Sequence, residues 1–167
     1  YMDMTYPSWT YQGRIFNDIS DFPEGTYGFI YEVFHKPSGL KYLGKKVLFF
    51  ERNKKLGKKA LQALREERKA KGIGGRTPLK QKVIKESDWK DYYGSHPKIQ
   101  QLVKDSDDLS KDFQRKILDL VPNKKLLTYY ECKHLFINDV LETYSHQYIN
   151  DNILGKFYRK DFSNETK

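Results

Sequence analysis

Between Tyr27 and Val47 the chain passes twice through β-branched and aromatic residues with a polar break between the two runs. The first run is Tyr27-Gly-Phe-Ile-Tyr-Glu-Val-Phe-His35, the break is Lys36-Pro-Ser-Gly39, and Leu40–Val47 resumes the pattern, which predicts a β-hairpin. With a period of two, Phe29, Tyr31 and Val33 share one face while Gly28, Ile30 and Glu32 take the other. Helix formers over residues 56–71 predict a basic helix that stops at Gly72 and opens into a Gly74-Gly75-Arg76-Thr77-Pro78 loop. Residues 97–104 read as a short helix. Residues 113–121 read as a strand stopped by Pro122, although helical spacing fits them too. Residues 125–141 contain neither Gly nor Pro, and Leu127, Tyr130, Glu131, His134, Leu135 and Asn138 recur at three- and four-residue steps. That helix carries one carboxylate on a mostly apolar stripe.

The order hairpin, helix, strand, helix predicts an α/β (α+β) layer structure, a small three-stranded mainly antiparallel sheet flanked by helices. Residues 1–26, with Trp9, Tyr11 and Phe16, form an extension that packs on the core as an extra strand or cover. The core occupies 27–158 with a basic insertion at about 53–92, and 159–167 is a polar tail expected to fray. A chain of 167 residues has room for one core, and 38% hydrophobic residues are too many for a disordered one. No apolar run approaches the roughly 20 residues of a membrane span, and residues 1–10 lack signal-peptide order, so a cytoplasmic protein without a membrane partner is expected. Cys132 has no second cysteine to pair with, and the four histidines lack zinc-site spacing.

Charge changes this picture. Residues 41–90 hold 17 Lys and Arg against five acids, a local +12 in a chain of net +9. Such a block attracts a polyanion and gains affinity through counterion release. Lys46, Lys54, Lys55, Lys58, Lys59, Arg76, Lys80 and Lys82 are the candidate DNA contacts, and duplex DNA is the expected partner. A solvated basic face with no specific partner is the alternative on charge alone.

Two hairpin tyrosines point to chemistry: Tyr31 ends Phe29-Ile30-Tyr31, and Tyr42 opens Tyr42-Leu43-Gly44 eleven residues later. Alone, such a pair is as readily a cross-strand packing contact. In these two tripeptides the chain resembles the GIY-YIG nuclease family, with Phe29 standing where the family has its first Gly. Lys45 follows Tyr42 by three residues, where some members carry a lysine. Arg52 follows by ten, the place of the family's catalytic arginine on the helix after the hairpin. Glu131 falls where the family has its metal-binding glutamate, and Asn150 or Asn152, with Asn152 favoured, where it has an asparagine. Lys85-Glu-Ser-Asp-Trp-Lys-Asp-Tyr-Tyr-Gly-Ser95 and Thr128-Tyr-Tyr-Glu-Cys132 look most like free-standing phage-encoded, homing-type members.

The resemblance implies a catalytic set of Tyr31, Tyr42, Lys45, Arg52, Glu131 and Asn152, with Mg²⁺ (or Mn²⁺) on Glu131. These residue types suit phosphodiester hydrolysis, which needs an activated water, neutralisation of phosphate charge and a stabilised leaving oxygen. One carboxylate can hold a hydrated Mg²⁺, while Arg and Lys contact phosphate. Two nearby cations and a metal favour the phenolate, so Tyr31 could orient or deprotonate the water while Tyr42 holds the phosphate. Lys45 and Lys46 are adjacent, so only one shares Tyr31's face. His96 and His134 read as packed histidines. A non-cutting DNA-binding module and a protein-binding accessory factor are the competing functions, and the protein acts as a monomer or a transient dimer on DNA.

Overall fold

The structure is a computed structural model that describes residues 6–142 and 146–162. The chain divides into two compact units, one running to Leu48 and resuming at Asp88, the other Phe49–Ser87. The first is built on β1 (Trp9–Tyr11), β2 (Arg14–Phe16), β3 (Gly28–His35), β4 (Leu40–Val47) and β7 (Phe113–Val121), in the order β2-β1-β7-β3-β4. The predicted hairpin is β3 and β4, with Tyr31 opposite Gly44 and Val33 opposite Tyr42. Residues 113–121 take the strand alternative and pair antiparallel with β3 on its other side, with a register irregularity between Ile30 and Tyr31.

The sheet is thus five-stranded and mixed rather than three-stranded. The extra strands come from the N-terminal stretch, where β1 runs parallel to β7 and β2 folds back on β1. The reversal is the Gln12-Gly13 pair, both with positive φ (50° and 80°), which is the backbone that a two-residue hairpin turn demands.

Both faces of β3 are covered, so the strand is buried almost throughout. On one face Ile30, with Leu43 of β4 and Val121 of β7, packs against Leu127 and Leu135 of α4 (Lys124–Ile137), whose N-cap is the Asn123 side chain. This helix ends before the predicted Leu141 because the chain turns at Asp139, where φ is 51°. On the other face Phe29 and Tyr31 meet an aromatic cluster of Trp9, Phe22 and Trp89.

Arg115 of β7 ties that cluster to the neighbouring segments. Its buried guanidinium donates to the carbonyls of Pro7, Lys90 and Tyr92 and lies 4.6 Å from the rings of both Trp9 and Tyr93. Burial lowers its pKa to about 10, against the opposing pull of Tyr93 and Asp91. The unit is completed by α2 (Pro97–Asp105), α3 (Leu109–Asp112), and β8 (Asn152–Ile153) paired with β9 (Phe157–Tyr158) ahead of α5 (Arg159–Phe162). The tail does not fray at its start: Arg159 donates to the carbonyls of Val140, Tyr148 and Asn150.

The second unit consists of β5 (Phe49–Lys55), α1 (Lys58–Ala70) and β6 (Lys80–Glu86). α1 falls where helix formers predict it and has no buried residue. β5 and β6 pair antiparallel as a two-stranded ribbon. No helix among the described residues is long and apolar enough to cross a membrane.

Candidate active site

Tyr31 and Tyr42 stand on neighbouring strands with ring centroids 6.3 Å apart. Gly44 is what lets Tyr31 lie across β4: a Cβ there would sit 2.6 Å from the Tyr31 hydroxyl and 2.9 Å from its Cζ. Gly28 is equally constrained, since its Cβ would meet the Lys46 carbonyl at 2.5 Å. The close-approach glycine of β3 is therefore residue 28, one before the tripeptide, and Phe29 is a core residue stacked on Phe22.

Tyr31 is 1% exposed. Its phenol is held well above its usual pKa, first by desolvation, then by Tyr92 and Tyr42, a hydrogen bond with Tyr92, and Glu131. Burial raises Tyr42 as well, and its hydrogen bond with Ser95 opposes that shift. Without a bound metal, neither shift runs toward the phenolate. Desolvation dominates both shifts, and both hydroxyls are neutral at physiological pH.

Register decides between the two lysines. Lys46 is opposite Phe29 and shares Tyr31's face, whereas Lys45 is opposite Ile30 and points to the α4 side. Lys46 is buried, with its ammonium 2.6 Å from Asp88 and 3.9 Å from the Tyr92 ring centre, so it anchors residues 88–92 instead of serving as a DNA contact. Lys45 donates to the Thr128 hydroxyl at 2.9 Å and lies 3.8 Å from the Glu131 carboxylate. Burial raises the pKa of Glu131, which Lys45 partly offsets. Glu131 is thus a desolvated carboxylate with one partial counterion, a group that gains from a further cation.

Of the two candidate asparagines, Asn150 is the one bonded to β4. It is buried, its Oδ1 accepts from the Leu43 amide (3.1 Å) and its Nδ2 donates to the Leu43 carbonyl (2.8 Å), so its side chain continues the ladder along the outer edge of β4. This pins the backbone between Tyr42 and Gly44. Asn152, the favoured candidate, is exposed and its Oδ1 accepts from the Gly155 amide, which makes it a turn residue of the β8–β9 hairpin.

Sequence reasoning missed residues 92–96 and Asp151. Tyr92 stands edge-on to Tyr31 at 5.8 Å. Gly94 (φ 133°) fits tightly against Tyr42, where a Cβ would meet the ring at 2.9 Å. Ser95 Oγ is 3.4 Å from the Tyr42 hydroxyl. The His96 ring lies 6.0 Å from that of Tyr42. His96 Nδ1 accepts from the Lys98 amide, so Nε2 carries the proton and donates to Asp151 at 2.6 Å. With both nitrogens engaged, His96 fixes the turn and is not a free base. Its signal was the Tyr92-Tyr93-Gly94-Ser95 run already noted, which ends against it. His134 is bonded to Asp119, as a packed histidine would be.

The remaining candidates stand in the second unit. Arg52, expected on a helix, is an exposed residue of β5 opposite Val83. Phe49–Lys55, two phenylalanines followed by five polar residues, pairs antiparallel with Lys80–Glu86 instead of forming a helix. Lys54 and Lys55 follow on β5, Lys58 and Lys59 open α1, Arg76 is in the loop, and Lys80 and Lys82 are on β6, all exposed. Lys82 is paired with Glu51 at 2.6 Å. Residues 49–87 hold 13 Lys and Arg against four acids, a net +9 that equals the charge of the whole chain. The other 128 residues carry 18 of each sign and sum to zero.

The mixed sheet thus carries two tyrosines on adjacent strands, with a lysine–glutamate pair between its edge strand and α4. The family model described as "Putative endonuclease segE, GIY-YIG domain" matches residues 9–153, and the chain belongs to that family of GIY-YIG endonuclease domains. The match starts at β1 and so takes in the N-terminal strands. No curated protein and no solved structure matches the chain.

Proposed function

We propose that this protein is a metal-dependent endonuclease that hydrolyses phosphodiester bonds of duplex DNA, a phage-encoded, homing-type enzyme acting in the host cytoplasm. The observation that carries this reading is the desolvated Glu131 carboxylate beside Lys45, in a GIY-YIG domain whose Tyr31 and Tyr42 are locked by Gly44, Asn150 and the 92–96 turn. Among the described residues no three His, Cys, Asp or Glu side chains cluster to cage an ion. A hydrated Mg²⁺ or Mn²⁺ needs only one or two carboxylates, and Glu131 fits that requirement. When bound, such an ion supplies Lewis acidity toward phosphate oxygens and a more acidic water.

The chain's own groups supply the rest. Lys45, held by Thr128, offers a positive charge to a non-bridging oxygen. Tyr42 is partly exposed and donates a hydrogen bond to the phosphate, while the neutral Tyr31 beneath it is the candidate to orient the attacking water. One such site cuts one strand, so double-strand cleavage takes two copies meeting on DNA or two successive nicks. Supercoiled plasmid incubated with and without Mg²⁺ tests the reading. Nicking is expected only with metal and only with Glu131 intact, and undiminished nicking by Glu131→Ala removes that residue from the site.

A further inference from the structure

The β5–β6 ribbon lies in the unit that carries the chain's entire net charge. Its register sets Phe50 opposite Lys85, Arg52 opposite Val83 and Lys54 opposite Gln81. Directly opposed residues share a face and alternate residues return to it, so these six side chains form one face of the ribbon. The opposite face carries both of the ribbon's acids, Glu51 and Glu86, and there Glu51 neutralises Lys82. The Arg52 face holds three cations and no acid. Arg52, Lys54, Gln81 and Lys85 are exposed, and no side-chain partner of theirs occurs among the described residues.

Like charges gathered on one face of a two-stranded ribbon repel, so this face is complementary to a polyanion. Its shape narrows the choice. Seven-residue strands extend roughly 23 Å, and a two-stranded ribbon fits the major groove of B-DNA, about 12 Å wide. Arg, Lys and Gln are also the side chains that pair with purine edges in that groove. A single strand would call for a row of aromatic platforms, and this face has only Phe50.

We propose that this face of the ribbon docks in the major groove of duplex DNA, where Gln81 reads a base edge and Lys54 and Lys85 neutralise flanking phosphates. The nuclease reading enters only in making DNA the polyanion.

The test is binding of the full chain to labelled duplexes in EDTA, so that no cleavage is required, together with selection from a randomised duplex pool. Arg52 is left in place because the family resemblance gives it a part in the chemistry. The Lys54→Ala/Lys85→Ala variant should flatten the slope of log affinity against log salt by about two units. Gln81→Ala should keep the slope and lose about ten-fold discrimination at one base pair of the selected site. Replacing adenine by 7-deazaadenine in that site removes a major-groove acceptor and should weaken the parent protein to the level of Gln81→Ala. An unchanged slope, a Gln81→Ala pool identical to the parent's, indifference to 7-deazaadenine, or tighter binding to the single strand than to the duplex would each overturn the proposal. Preference for an acidic polypeptide such as polyglutamate over duplex would also overturn it. Groove binding with these properties but no metal-dependent nicking would sink the nuclease reading alone.

Discussion

Gly44→Ala probes the packing that positions the site. The φ of Gly44 is not positive, so alanine suits the backbone, and replacing a strand glycine would ordinarily gain about 0.5–1 kcal/mol. Here the new Cβ falls 2.6 Å from the Tyr31 hydroxyl and 2.9 Å from Cζ, about 0.8 Å inside ordinary contact for the oxygen. The ring has little room to retreat, because Trp9, Phe29 and Tyr92 surround it at centroid distances of 5.5, 6.1 and 5.8 Å. Overpacking of this kind costs about 1–3 kcal/mol, which outweighs the gain and leaves a net loss near 1–2 kcal/mol. For a chain of this size that lowers Tm by about 2–8 °C. A displacement of nearly 1 Å in Tyr31 should also cost roughly 10²-fold in nicking rate.

A double-mutant cycle separates this cause from general damage. Tyr31→Phe removes the closest atom, so Gly44→Ala should destabilise the Tyr31→Phe variant less than the parent, with a coupling of about 0.5–3 kcal/mol in urea melts. Gly28→Ala is the control: its Cβ clashes with the Lys46 backbone carbonyl, and Tyr31→Phe should give no relief. Additivity of Gly44→Ala and Tyr31→Phe within about 0.5 kcal/mol would refute the reasoning, as would a Gly44→Ala protein with parental Tm and rate.

Glu131→Gln should abolish nicking by about 10²-fold or more and raise Tm at neutral pH. The sign follows from its raised pKa: the contribution of Glu131 to stability is complete below its unfolded pKa and is lost as pH rises through the folded one, so the neutral amide avoids that loss. A lower Tm at pH 7 would contradict it. Asn150→Ala should cost about 1–3 kcal/mol and most of the activity, since two bonds to the Leu43 backbone disappear, while Asn152→Ala should stay within about 0.5 kcal/mol and near full rate. Equal effects would return the site asparagine to doubt. The family role given to Arg52 predicts that Arg52→Ala slows nicking heavily at saturating DNA with little loss of affinity. Parallel losses in rate and binding would make it a docking residue.

The hairpin, the third strand and α4 were legible because their hydrophobic period matches the element that forms, and α1, which buries no residue, was legible from its helix formers. β6 was not, because Lys80–Glu86 is exposed along nearly its whole length and has no buried face to leave a period in the sequence. β1 and β2 are three-residue strands, too short for a pattern, and only the Gln12-Gly13 turn marks them. Among the candidates that the resemblance named, Tyr31 lies beside Tyr42 and Lys45 beside Glu131. Spacing could not tell Asn150 from Asn152, since that choice depends on which side chain meets the open edge of β4. Nor could it show that Lys46 is spent on Asp88, forty-two residues away, or that His96 reaches Asp151.

Both cations of β4 next to the tyrosines are engaged, Lys45 with Glu131 and Thr128, Lys46 with Asp88 and Tyr92. The unit that holds them sums to zero charge, so by itself it has no long-range pull on DNA. Electrostatic affinity must then come from residues 49–87, whose +9 is the whole of the chain's excess. Arg52 apart, the proposed chemistry and the electrostatic affinity therefore fall in different stretches of sequence. Substitutions among Tyr31, Tyr42, Glu131 and Asn150 leave the cations of 49–87 untouched and are expected to act on turnover of bound DNA, whereas loss of cations in 49–87 other than Arg52 is expected to act on how much DNA is bound at a given salt concentration. Raising salt consequently mimics the second class of variant and not the first: a catalytic variant stays slow in low salt, where a binding variant regains the parental rate.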